Sequence, residues 1–319
     1  MTTSPDVVRL GVSACLLGQQ VRYDGGHKRN PFLTDVLGPF VEWVSVCPEE
    51  EAGFGTPREA MRLERRRDGV HLMTVRSKVD VTAQLLDVAE RRVPELAGMD
   101  LDGYVFKKDS PSCGLMRVKV YGASGMADRD GRGLFAHAVA QAMPLLPTEE
   151  EGRLGDPHLR ENFVERIFGY RRLRALVASA PRVRDLIDFH TRHKLLLLAH
   201  SPAAYTSLGR LVADTRGRVS QRRLEEYARA FMTALGAMAT RGRHANVLQH
   251  MAGYFQRLID AEARQELASS IADYQHGLVP LIVPITLVLH HARAHRVQYL
   301  LDQVYLHPHP KELMLRNHV

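Results

Sequence analysis

The spacing of hydrophobic positions changes partway along the chain. Up to residue 143, short apolar runs alternate with stretches of helical period. Residues 7–14 (VVRLGVSA), Val41–Val46 (VEWVSV), 70–75 (VHLMTV) and 104–107 (YVFK) read as strands. Residues 31–37, 82–92 and 133–143 read as helices, with Thr82 as an N-cap. Alternation of this kind builds a parallel sheet covered by helices, so a small three-layer α/β domain is predicted. From residue 144 the stretch PLLPTEEEGRLGDP has the prolines, glycines and acidic run of a linker, which puts a boundary around residues 148 to 155. Beyond it, segments such as VRDLIDFHTRHKLLLLAH and LEEYARAFMTALGAM keep a helical period almost throughout. The predicted architecture is therefore an α/β domain over residues 1–150 and an all-α helical bundle over residues 151–319. No internal repeat or low-complexity tract interrupts it.

The 319 residues, 45% of them hydrophobic, suffice for about two cores. No run reaches the roughly 18 to 20 apolar residues of a membrane span. The first residues lack the basic and apolar segments of a secretory leader, so a cytoplasmic protein without a membrane partner is expected. Charge divides as the periodicity does. Residues 1–150 carry 19 Lys and Arg against 21 Asp and Glu, a balance of −2; residues 151–319 carry 24 against 15, a balance of +9. The second part also holds 13 of the 16 histidines, expected to add charge below neutral pH. Such a basic half suits a polyanionic partner, most simply nucleic acid, and is also what solvated arginine-rich helices look like.

Cys15, Cys47 and Cys113 each follow a predicted strand. In a parallel α/β sheet the carboxyl ends of the strands form the ligand-binding edge, so thiols far apart in sequence are predicted to converge there. Three widely spaced cysteines do not make a disulfide framework of the secreted kind. Their neighbours Gly18, Pro48, Pro111 and Gly114 suit tight loops with exposed backbone donors. On the residues alone, four readings stay open. The cysteines are small buried hydrophobes, or a disulfide with a spare thiol, or a structural zinc site completed by a ligand such as His27. The fourth is an iron–sulfur cluster on three thiolates, with one iron open to a substrate atom. Glu49, two residues after Cys47, is placed to act as general acid or base beside a metal centre, or is one of three glutamates in a solvated turn. Ser110 and Ser112 flank Pro111 and either bond a substrate or cap a turn. Arg22, Asp24, Lys28 and Asn30 either line the same site or decorate a loop. The pairs His190 and His193, His244 and His250, and His291 and His295 have spacings near helical turns without an HExxH pattern, so helix packing or RNA contact is preferred to a second metal site.

Three segments carry a family resemblance. VSACLLGQQVRYDGGHKRN, VCPEEEAGFGTPREAMRL and KKDSPSCG resemble the three signatures of the thiouracil desulfidase (TudS) family, over about residues 7–143. The resemblance implies a four-iron four-sulfur (4Fe-4S) cluster with Cys15, Cys47 and Cys113 as its three ligands and one open iron. It implies a non-redox reaction in which the sulfur of a thiolated uracil meets that iron and water takes its place on the ring. Glu49 and Ser110 match the acid and serine implicated in that step. In the second half, HKLLLLAHSP, RHANVLQHMAGYF, PLIVPITLVLHH and YLHPHPKELMLRN resemble the YbgA-like helical domain, over about residues 155–319. A tandem of the two resembles desulfidases of 4-thiouridine in transfer RNA, which release sulfide and leave uridine. The basic half would then supply sequence-independent phosphate contacts. Two other functions remain as expectations: a desulfidase of free 2-thiouracil or of thiouridine nucleosides, and an iron–sulfur nucleic-acid-binding sensor without catalysis. A pure sensor has no use for an open iron beside a carboxylate.

Overall fold

Strand β1 (Val8–Ser13) is buried along almost its whole length, as a strand covered on both faces must be. It runs parallel to β2 (Val41–Val46) on one side and to β5 (Gly103–Phe106) on the other, and β8 (Thr148–Glu150) adds in parallel beyond β5. The order β2-β1-β5-β8 is the parallel sheet that the alternating pattern predicts. Gly11 fixes the β1–β5 contact: a Cβ there would come within 2.1 Å of the Tyr104 ring, which occupies the space instead. The computed structural model describes residues 7–319, so the leader-free reading of the first six residues lies outside it. The chain divides between Gly155 and Asp156 into two units.

Four features of the first unit differ from the expectation. The run 70–75 is not a strand of the parallel sheet. It is β4 (Gly69–Thr74), paired antiparallel with β3 (Met61–Arg66) in a second sheet that continues through β6 (Val118–Tyr121) to β7 (Ala127–Gly131). Leu63, Leu72, Val118 and Val120 form its buried side against Val81 and against Leu85 of α2 (Thr82–Gly98). β3 (MRLERR) and β7 (ADRDG) leave too few apolar positions for a period of two to show. The stretch predicted as a linker contains β8, whose acidic residues are buried because donors surround them. Tyr104 donates its N–H to Pro147 O at 2.8 Å, and the Glu150 carboxylate takes the N–H groups of Leu115 (2.8 Å) and Met116 (3.2 Å). Thr82 does not cap α2; it is the first helical residue, and its hydroxyl accepts from Leu72 N at 2.8 Å. Residues 31–37 form a π-helical turn, Phe32–Leu37, while 133–143 hold the expected helix as α3 (Leu134–Ala142). A short α1 (Pro48–Glu51) follows β2 directly.

The second unit is helical: α4 (Pro157–Ala178), α5 (Val183–His200), α6 (Pro202–Ala213), α7 (Gln221–Gly236), α8 (Arg241–Ala252), α9 (Ala261–His276), α10 (Ile282–Ala294) and α11 (Gln298–Leu301). Asp156, Ser201, Ser220, Thr240 and Asp260 cap α4, α6, α7, α8 and α9 by accepting backbone N–H bonds from the first turn. α5 buries nearly every side of its second half, from Leu195 to His200. The chain end folds back through short 3₁₀ turns and brings Arg316 onto α4, where it donates to Glu161 (2.9 Å) and Glu165 (2.8 Å). His200 bonds the other oxygen of Glu165 at 3.1 Å, so two buried carboxylates share one guanidinium and an imidazole. Among the described residues no helix is long and apolar enough to cross a membrane.

Candidate active site

Three loops leave the carboxyl edge of the parallel sheet, and each carries a cysteine. Cys15 sits in the 3₁₀ turn Ala14–Leu17 just past β1, Cys47 lies between β2 and α1, and Cys113 is on the loop after β5. Backbone bonds brace the first loop on itself, Lys28 N to Cys15 O (2.9 Å), and the third on itself, Gly114 N to Ser110 O (2.8 Å), and Arg58 N to Tyr23 O (2.9 Å) ties the second loop to the first. Lys107 N reaches across from β5 to Ser13 Oγ of β1 at 3.0 Å. Gly133, at the start of α3, backs the third loop so closely that a Cβ would stand 2.5 Å from the carbonyl of Ser112 and 2.8 Å from Cys113 N. The result is one cavity of about 420 Å³ lined by Cys15, Cys47 and Cys113 together with Glu49, Ser110 and Ser112.

All three cysteines are free of disulfides, and Cys15 and Cys113 are buried. Burial pushes the Cys15 thiol up to about 11 against the pull of Lys107, and raises Cys113 and Cys47 as well. The thiols raise one another further, as the charges of neighbouring thiolates would repel. Three such groups shed their protons together only for a strongly positive partner, as metal ligands do. The donor set fits an iron–sulfur cluster: soft sulfur ligands on three loops around a shared space. It does not fit a single zinc ion completed by His27, which is exposed and outside the cavity lining. Among the described residues, no three His, Cys, Asp or Glu side chains are grouped to hold one ion.

Glu49 is gripped from two sides. Arg58 donates from Nε at 2.9 Å and from Nη2 to Oε2, and Ser112 donates its hydroxyl to Oε1 at 2.5 Å. With its hydroxyl proton donated toward Glu49, Ser112 Oγ is left to accept from Ser110, 3.0 Å away. Ser110 Oγ in turn accepts the N–H groups of Cys113 (3.1 Å) and Ser112 (3.3 Å). A chain of hydroxyls therefore runs from Ser110 through Ser112 to Glu49 along the cavity wall. Of the expected loop residues, Arg22 and Lys28 line the cavity; Asp24 pairs with Arg22, and Asn30 accepts from Leu33 N in the π-helical turn. Arg58 was not anticipated as a site residue. Its signal was the Thr56-Pro57-Arg58 triplet, which ends nine positions after Glu49 and looks like an ordinary turn until the loop folds back.

Residues 10–151, which span all three loops, match the family described as 2-thiouracil desulfurase. The chain is a 2-thiouracil desulfurase family member. Within this desulfurase-family chain, residues 194–310 match a second family, described as a protein of unknown function (DUF1722). YbgA of Escherichia coli (strain K12) is 33% identical over 156 residues, 48% of this chain and 90% of that protein. YbbK of Bacillus subtilis (strain 168) is 30% identical over 108 residues, 32% of this chain and 71% of that protein. A solved structure, the 4Fe-4S-dependent thiouracil desulfidase TudS, is 32% identical, with coverage of 46% of this chain and 93% of that one and a TM-score of 0.38.

The second unit of the desulfurase chain uses its histidines in packing. His190 meets Tyr227 OH at 3.1 Å and His244 meets Tyr305 OH at 3.0 Å, while His193 bonds the Phe189 carbonyl at 2.7 Å. His250 and His295 are exposed, so neither of the helically spaced pairs His244–His250 and His291–His295 shares a buried site.

Proposed function

We propose that the protein is an iron–sulfur-dependent, non-redox desulfidase of thiolated uracil, acting on 4-thiouridine in transfer RNA to give uridine and sulfide. The observation that carries this reading is the meeting of Cys15, Cys47, Cys113 and Glu49 in one cavity of a 2-thiouracil desulfurase family member. The three thiolates would hold a 4Fe-4S cluster, and through an iron left without a cysteine ligand it would supply a soft Lewis acid for the thiocarbonyl sulfur. Exchange of C=S for C=O consumes one water and releases hydrogen sulfide, so protons move and no net electrons do. Glu49 is the group that takes the proton of the attacking water, oriented by Arg58 on Oε2. Ser112 and Ser110 pass protons between Glu49 and the substrate side of the cavity. Arg22 and Lys28 on the wall favour an anionic or electron-rich substrate. The transfer RNA assignment is supported by the +9 balance of the helical half.

A second reading, turnover of free 2-thiouracil, is favoured by the family's description. One experiment separates them. The protein is purified without oxygen, its cluster is reconstituted, and the near-ultraviolet absorbance of 4-thiouridine in transfer RNA is followed beside that of free 2-thiouracil. Loss of sulfur from the free base alone rejects the RNA assignment. Loss from neither rejects desulfidation of these substrates, and turnover by cluster-free protein rejects the iron–sulfur mechanism.

A further inference from the structure

In the helical unit, a groove between α4 and α5 holds an arginine to which no carboxylate among the described residues is bonded. Arg172 donates from Nε to His193 Nε2 (3.1 Å) and from Nη1 to the Pro308 carbonyl (2.9 Å), and its buried Nη2 has no acceptor. Both acceptors are neutral. For Nε2 of His193 to accept, its ring proton must sit on Nδ1, where it is donated to the Phe189 carbonyl at 2.7 Å. The imidazole therefore offsets none of the arginine's charge; Glu165 of α4 opposes that charge without bonding the guanidinium, and Arg192 adds to it. No carboxylate forms an ion pair with Arg172 or Arg192 among the described residues. Of the acids on this wall, Asp185 is engaged by the Arg182 backbone and by Arg184, and Asp188 faces solvent.

A buried guanidinium with an idle donor is an arrangement that native proteins usually complete with an anion or an ordered water. Here the two arginines line one cavity of about 600 Å³, together with Leu176 and Phe189. Two planar guanidinium groups offer more donors than the two oxygens of a carboxylate take up, and match the oxygens of a phosphate. We propose that this cavity is a phosphate-binding site, with Arg172 and Arg192 as its cationic donors. The phosphate belongs either to an RNA backbone or to a free phosphorylated small molecule. Apolar walls beside the cations suit the organic part of either.

The test compares the full chain with Arg192→Ala, an exposed position whose loss leaves the fold intact, and with Arg172→Met. Two probes are titrated: inorganic phosphate, and a short unmodified single-stranded RNA over a range of salt. If the source is RNA, Arg192→Ala weakens RNA binding about tenfold and makes the salt dependence shallower by about one unit of slope, with little saturable binding of inorganic phosphate. If the source is a small molecule, inorganic phosphate saturates the wild type, Arg192→Ala weakens it about tenfold, and RNA affinity stays the same. Either pattern upholds the site. Binding of both probes that is unchanged in Arg192→Ala, or no binding of either by the wild type, overturns it. Should Arg172→Met fail to fold, Arg192→Ala still decides. Both readouts are of binding and stand whatever activity the first unit has.

Discussion

Glu49 and the two serines are the residues through which the cavity does more than hold sulfur. If Glu49 moves the proton, Glu49→Ala lowers kcat by about 100-fold or more while iron and sulfide content per chain stay at the wild-type level. Ser112→Ala breaks the hydroxyl chain at its middle, so a loss of about tenfold in kcat is expected, again with cluster content retained. Cys113→Ser differs in kind: iron content itself falls and turnover disappears with it. An Ala at 49 or 112 that keeps full activity would remove those residues from the reaction. The cysteines were legible from sequence because each stands just past an apolar run, and strand ends of a parallel sheet meet at one edge. Glu49 was legible from its place beside Cys47. Ser112 was legible only as a substrate-bonding or turn-capping hydroxyl, not as the partner of Glu49, and Arg58 not at all, because their value lies in contacts across 63 and 9 residues that no local pattern encodes.

At the scale of elements, the site depends on two supports that carry no chemistry. β8 places Glu150 under the third loop, where its carboxylate satisfies the N–H groups of Leu115 and Met116. The start of α3 places Gly133 against the backbone of Ser112 and Cys113. Gly133→Ala puts a methyl group where only a hydrogen fits, and the loop backbone must shift. An overpacking cost of about 1 to 3 kcal/mol is expected, read as a lower thermal midpoint of the first unit, together with reduced iron retention. Unchanged iron content in this variant would mean that the loop tolerates the shift. Neither support was visible beforehand. The acidic run at Glu149 and Glu150 has linker composition, and only burial against specific donors makes it a strand. The second sheet escaped for a related reason, since β3 has just Leu63 fully buried among arginines that pair with Glu64 and Asp130. The helices of the second unit were legible because their apolar positions recur at the helical period over long stretches.

At the scale of the whole molecule, the histidines of the basic half set a pH dependence opposite to the one composition suggests. All thirteen were expected to add charge below neutral pH, yet for four of them burial prevents it, holding His190 and His309 down to about 4 and His193 and His244 down to about 3. The positive charge of Arg172 beside His193 and of Arg316 beside His244 deepens the effect. In the unfolded chain these groups titrate near 6.5, so above that value both states are neutral and stability is unaffected. As pH falls below 6.5 the unfolded state binds protons that the folded state refuses, and stability is lost down to the depressed values at about 1.4 kcal/mol per pH unit for each histidine. His200 has the opposite sign: Glu165 helps raise its pKa, so its contribution is present below 6.5 and lost as pH rises through the raised value. Burial lowers His291 and His307 as well, so six histidines outweigh His200 and the Glu161 carboxyl, which burial raises, and the helical unit is left acid-sensitive. Its far-ultraviolet helical signal should be lost at progressively lower urea concentrations between pH 7 and pH 5. His244→Gln keeps a partner for Tyr305 OH but removes one titrating group, and should shrink the stability difference between pH 7 and pH 5 by about 2 kcal/mol. A urea midpoint that falls just as steeply with pH in His244→Gln would show that His244 is charged in the folded chain, or that other groups carry the acid sensitivity.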